Sequence, residues 1–127
     1  MKTELDIIAS RKLINAGVPI SYASKQNYVE KIGDNIRGIV KKENPDPIFT
    51  LDDLINLVPK KINVHVGSQK YQYYYLNIRY ISDKEIQVYY TYKDSVRAMT
   101  NGYELIERFY QIIMYCIENN FLTFNNK

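Results

Sequence analysis

Few residues in this chain could do covalent or metal chemistry. There is a single histidine, His65, and a single cysteine, Cys116. One of each within a chain makes no Cys/His zinc site, no disulfide and no redox pair. His65 falls on the outward side of an alternating run, Ile62-Asn63-Val64-His65-Val66, where a solvated or hydrogen-bonded imidazole is expected. Cys116 falls on the apolar stripe of a helix, where a cysteine behaves as a small buried hydrophobe. Asp52 and Asp53 form a carboxylate pair, but a helix N-terminus accounts for both. The five glycines form neither a GxGxxG nor a GxxxxGK loop. Lys41-Lys42 and Lys60-Lys61 are short basic pairs, expected at solvated ends of elements. Together they would make a weak basic patch if the fold brings them close. The expectation is a protein that is not an enzyme and holds no metal or cofactor.

Tyrosine is the unusual residue type. The chain has 13 Tyr against 4 Phe and no Trp. The 12 Lys to 5 Arg ratio suggests AT-rich codons. Phe codons are equally AT-rich, so codon bias does not explain the tyrosines. Tyr71, Tyr73, Tyr74, Tyr75, Tyr80, Tyr89 and Tyr90 lie in two neighbouring segments, with Tyr92 at the end of the second. A tyrosine offers a ring to pack and a hydroxyl to keep wet. It therefore suits half-buried positions, protein interfaces and base-stacking platforms.

The elements that must position these residues are legible from periodicity. Leu5, Ile8, Ala9 and Leu13 have the spacing of one helical face over residues 4–16. Gly17 stands where a left-handed C-cap belongs, and Pro19 blocks continuation. Residues 20–46 carry two competing patterns. Tyr28, Ile32, Ile36, Ile39 and Val40 have helical spacing, whereas Gly33-Asp34-Asn35 marks a turn; the hairpin reading is preferred. Asn44-Pro45-Asp46-Pro47 is a stiff, non-helical connector. Thr50-Leu51-Asp52-Asp53 opens a second helix with a reciprocal cap between Thr50 and Asp53. Leu51, Leu54, Ile55 and Val58 form its stripe, and Pro59 ends it.

Three strands follow: residues 62–66, 70–81 and 85–92. Gly67-Ser68 and Ser82-Asp83-Lys84 supply the turns, so the strands form an antiparallel meander. A last helix is expected from a cap at Asn101-Gly102-Tyr103-Glu104. Leu105, Phe109, Ile112, Ile113, Cys116 and Ile117 make its apolar face. It ends near Asn119-Asn120, with Phe121-Leu122 folding back. The expected fold class is α+β, a three-stranded antiparallel sheet packed on two helices. The additional N-terminal helix would lie at the edge or far side, with a hairpin in the N-terminal part.

Alternation sorts the sheet into two faces. Ile62, Val64, Val66, Tyr74, Leu76, Ile78, Tyr80, Ile86, Val88 and Tyr90 share one face, expected to be the core under the second and last helices. Asn63, His65, Tyr71, Tyr73, Tyr75, Asn77, Arg79, Gln87, Tyr89 and Thr91 share the other. Three readings of that second face stand side by side. The chain's own N-terminal part covers it, or it is a protein interface, the partner being another protein or a second copy. In the third, it stacks single-stranded nucleic acid, with Arg79, Lys61 or Lys70 on phosphates.

Bulk properties frame the rest. The chain of 127 residues, with 46% hydrophobic and 24% charged residues, is one ordinary domain. A net charge of +3 is too weak to imply nucleic acid by itself. Acidic residues interrupt the N-terminus, so no signal peptide is expected. The longest apolar cluster, around residues 109–117, is too short for a membrane span. A cytoplasmic location with a reduced thiol is the expectation.

The order of these pieces resembles a group of small phage and prophage proteins of gut bacteria. Leu13-Ile14-Asn15-Ala16-Gly17, Pro47-Ile48-Phe49-Thr50-Leu51-Asp52-Asp53-Leu54 and Leu57-Val58-Pro59-Lys60-Lys61-Ile62 carry the likeness. So do Tyr75-Leu76-Asn77-Ile78 and Tyr115-Cys116-Ile117-Glu118-Asn119-Asn120-Phe121-Leu122. It covers roughly two-thirds of the chain. The chain departs from the pattern in lacking the Trp often placed near the last helix. The resemblance implies a mobile-element origin in a host cytoplasm and no particular activity. It raises the protein-interface reading, for which the outer face offers Tyr71, Tyr73, Tyr75, Arg79 and Tyr89 as contact residues, with His65 and Asn77 as polar partners. Single-stranded nucleic acid is the alternative ligand of the same face.

Overall fold

The computed structural model describes residues 1–27 and 46–124. The hairpin turn expected at Gly33–Asn35 lies outside them, as does the Lys41-Lys42 pair. Helix α1 runs Ile7–Asn15, and a 3-10 turn follows at Ile20–Tyr22. Strands β1 (Lys25–Asn27) and β2 (Asp46–Ile48) pair antiparallel. Helix α2 (Leu51–Leu57) leads into β3 (Lys61–Gly67), β4 (Lys70–Ser82), β5 (Glu85–Tyr92) and β6 (Ser95–Gly102). Helix α3 (Leu105–Glu118) closes the described fold. The second sheet is a four-stranded antiparallel meander, β3-β4-β5-β6. The α+β class stands, with four strands in place of three.

The missed strand has a physical explanation. In β6 the register slips between Val88 and Tyr90 of its neighbour, and Ala98 takes φ 55°. This bulge places Thr100 opposite Val88 and Arg97 opposite Tyr90, so residues of different parity share one face. Strict alternation is lost, and with it the sequence signal of a strand. Asn101 and Gly102 belong to β6 and do not cap α3. Asn101 Nδ2 instead donates to Glu85 Oε2 at 2.6 Å. The N-cap of α3 is Glu104, which makes no side-chain cap bond.

Helix α1 starts later than its apolar spacing suggests. Asp6 caps it, accepting from Ala9 N at 2.7 Å. Leu5 precedes the helix and is buried, while Ile8 is 70% exposed, so the Ile8 part of the expected stripe is wrong. Gly17 takes the anticipated positive φ, 114°. Leu13 and Val18 join the main core, so α1 does not lie on the far side of the large sheet.

Helix α2 carries the expected reciprocal cap. Thr50 Oγ1 accepts from Asp53 N at 3.2 Å, and Asp53 Oδ2 accepts from Thr50 N at 2.9 Å. Ser24 adds two bonds to the same carboxylate oxygen, each 2.9 Å. Burial pulls the Asp53 pKa upward, but the hydrogen bonds from Thr50 and Ser24 together outweigh it and hold it below its ordinary value. A carboxylate with a depressed folded-state pKa stabilises the fold above its unfolded value, near 3.8, and loses that contribution as pH falls through the folded value. Asp53→Asn is therefore expected to cost about 1 kcal/mol at neutral pH. The gap to wild type in thermal midpoint should close as the pH drops below the ordinary carboxylate range. A pH-independent gap would contradict this account.

The core lies between the inner face of the large sheet and the helices. Helix α3 rests on β5 and β6, and α2 packs beside α3. Ile62, Val64, Tyr74, Ile86, Val88 and Tyr90 are buried there, as alternation requires. Val66, Ile78 and Tyr80 are not, at 46%, 44% and 63% exposed. The 13 residues of β4 span about 43 Å, whereas the 14 residues of α3 span about 21 Å. One helix cannot cover the whole strand, and the inner face beyond it stays open. Strand β3 also stops short: its last bond to β4 is Leu76 N to Lys60 O at 2.9 Å. Beyond Leu76 the far half of β4 is a sheet edge.

Candidate functional site

The outer face of the large sheet assembles all seven residues singled out by alternation. Strand β4 carries Tyr71, Tyr73, Tyr75, Asn77 and Arg79 in one line. Strand β3 adds His65 opposite Tyr71, Asn63 opposite Tyr73 and Lys61 opposite Tyr75. Strand β5 adds Thr91 opposite Tyr75, Tyr89 opposite Asn77 and Gln87 opposite Arg79. From Tyr71 to Arg79 the line is about 26 Å long at the usual rise per residue.

The described N-terminal elements do not bury this face. Tyr71, Tyr73 and Tyr75 are 65%, 44% and 51% exposed. His65, Asn77 and Arg79 are exposed, and Tyr89 is half-buried. The rings have local partners that hold them without covering them. His65 and Tyr71 meet with centroids 5.0 Å apart, tilted by 57°. Lys61 Nζ stands 4.5 Å from the Tyr73 ring centroid, a cation–π contact. Asn77 Nδ2 donates to the Tyr75 carbonyl at 3.3 Å. Among the described residues Arg79 forms no ion pair.

The tyrosines of the opposite parity do structural work. Tyr74 is buried and its hydroxyl lies 2.7 Å from Ser95 Oγ. Tyr90 is fully buried; its hydroxyl donates to the Pro59 carbonyl at 2.7 Å and touches Cys116 Sγ at 3.4 Å. Burial pushes the Tyr90 phenol far above its ordinary pKa. Burial also raises the Cys116 thiol, which keeps it protonated and unreactive.

Sequence reasoning missed the contribution of β6 to the outer face. Val96, 46% exposed, lies opposite Thr91, and Asn101 lies opposite Gln87. It also missed Arg108, a charged side chain buried at the start of α3; helical periodicity alone places Arg108 beside Phe109 and Ile112 but gives no reason for a charge there. A separate cleft of about 390 Å³ is lined by Tyr22, Asp53, Asn56, Leu57, Leu122, Thr123 and Phe124. Its one carboxylate is already engaged in capping α2. Among the described residues no helix is long and apolar enough to cross a membrane. No protein family, no curated protein and no solved structure matches the chain.

Proposed function

We infer that the chain is a non-enzymatic accessory protein of phage or prophage origin that binds another protein stoichiometrically through the outer sheet face. The observation that carries this reading is the exposed line Tyr71, Tyr73 and Tyr75 on a strand that β3 pairs along this stretch and β5 joins from Tyr75. Tyrosine loses little conformational entropy when it becomes an interface anchor, and a paired strand holds it in place beforehand. Arg79 and Tyr89 extend the contact surface, and His65 and Asn77 supply hydrogen-bonding groups at either side of the line.

A second reading rests on Lys61 over Tyr73 and on Arg79, which has no acidic partner among the described residues. Rings interleaved with cations also suit the bases and phosphates of a single strand, with Lys70 as a further cation. Salt separates the two. Affinity for a fluorescent oligothymidine should fall steeply between low and moderate salt if phosphates dominate, whereas a Tyr-centred protein interface should hold.

The direct test is the double substitution Tyr73→Ala with Arg79→Ala. Both side chains are exposed, so the circular dichroism spectrum and thermal midpoint should stay close to wild type. Retention of the host or phage protein captured by the wild-type chain should fall by about 30-fold or more. Undiminished capture by the double variant would sink the sheet-face reading.

A further inference from the structure

Arg108 sits in the first turn of α3 and is only 6% exposed. Helical side chains lean back toward the N-terminus, and this one reaches Gly102, the last residue of β6. A Cβ on Gly102 would lie 1.6 Å from Arg108 Nη1 and 2.5 Å from Cζ, so the glycine makes room for the guanidinium. Gly102 pairs with Ile86, and Ile86 pairs with Tyr80. The guanidinium therefore rests on the inner face of the sheet, in the row that ends at the uncovered Tyr80.

Among the described residues no acid answers this charge, and their ion pairs are Lys2–Glu107, Arg11–Asp46 and Lys25–Glu4. The acids nearest to Arg108 in sequence are Glu104 and Glu107, and Lys2 takes both. Its backbone N donates to Glu104 Oε2 at 3.0 Å and its Nζ to Glu107 Oε1 at 3.3 Å. Arg108 Nε is sealed from solvent and has no hydrogen-bond partner. A buried guanidinium without a counter-charge is strongly unfavourable, and native proteins supply a partner. The same place is the N-terminus of a 14-residue helix whose cap residue makes no side-chain cap bond. The first-turn N–H groups of Leu105, Ile106 and Glu107 are left without side-chain acceptors.

The geometry points to a binding site for a small oxyanion, a phosphate or a carboxylate, held between the Arg108 guanidinium and the N-terminal N–H groups of α3. The guanidinium fork matches the paired oxygens of either group, and the helix end favours negative charge. The Lys2 ammonium neutralises Glu107, and its backbone N–H engages Glu104 Oε2. The site lies on the inner side of the sheet, so it neither requires nor excludes the outer-face reading.

Thermal unfolding of the wild-type chain and of Arg108→Gln, in sodium phosphate, sodium acetate and sodium chloride at matched ionic strength, tests this. Phosphate stabilises proteins generally by exclusion, and that part is common to both chains. The excess in wild type is the specific effect. It should grow with the logarithm of anion concentration above the dissociation constant and reach roughly 5 °C at ten times that constant. A logarithmic excess in phosphate alone identifies a phosphate site, and one in acetate a carboxylate site. A saturable shift of the Arg108 Nε–H resonance during the same titrations supplies a reading even if Arg108→Gln fails to fold. Equal midpoint shifts in the two chains, or an Nε–H resonance that does not move in either anion, would overturn the proposal.

Discussion

Tyr90→Ala is expected to lower folding stability by about 3–5 kcal/mol, while Tyr73→Ala changes it by less than about 0.5 kcal/mol. The two residues share a type and a sheet, and differ in face. Tyr90 is fully buried, fills space between β5 and α3, and ties Pro59 and Cys116 through its hydroxyl. Truncation leaves a cavity, an unpaired Pro59 carbonyl and fewer ring contacts. Tyr73 is 44% exposed and its main neighbour is the Lys61 ammonium. A chain of this size has about 5–15 kcal/mol of stability in all, so the first change approaches unfolding and the second is nearly silent. Urea unfolding followed by far-ultraviolet circular dichroism measures both. Similar losses for the two variants would mean that the sheet's faces are assigned wrongly.

Phe49→Ala is expected to cost a similar 3–5 kcal/mol, and to do so by detaching the N-terminal part of the chain. Phe49 is fully buried where β2 passes into α2. Its carbonyl accepts from Leu5 N at 2.8 Å, and its N–H donates to the buried Ser10 Oγ at 3.3 Å. Leu51 N reaches Thr3 O at 2.8 Å. These bonds tie α1 and the first residues to a backbone stretch that the buried ring holds in the core. Hydrogen exchange should show the Leu5 amide losing protection well before Val88, which lies in the middle of the sheet. Uniform loss across both would make Phe49 part of one undivided core.

Both outcomes bear on how the fold is encoded. The meander was legible because β3, β4 and β5 alternate cleanly and are joined by short turns. The cap of α2 was legible because Thr50 and Asp53 stand at the spacing that lets each satisfy the other's backbone. Strand β6 was not, because the bulge at Ala98 changes parity partway along it. Its last residues then imitate a helix cap: Asn101 and Gly102 are good cap residues, but pairing with Gln87 and Ile86 claims them first. Ile8 was misplaced because helix spacing continues through Leu5, whereas the backbone there bonds to Phe49 before α1 begins.

By itself, then, the sequence determined the parity of the tyrosines. Side chains on a strand alternate, so Tyr71, Tyr73 and Tyr75 had to part from Tyr74 wherever the strand was placed. It also determined that one of the two sets would face an aliphatic core. Only the tertiary structure decided how far that core extends and what lies over the other set. Helix α3 is half the length of β4, so Ile78 and Tyr80 are left open despite their parity. The described N-terminal elements pack against α2 and α3, leaving the outer rings in solvent. The burial of Arg108 against Gly102 was likewise decided by how α3 packs on the sheet, since a charge on an apolar stripe is not called for by periodicity. Alternation is a local property of the backbone; coverage depends on the lengths and placement of elements distant in sequence.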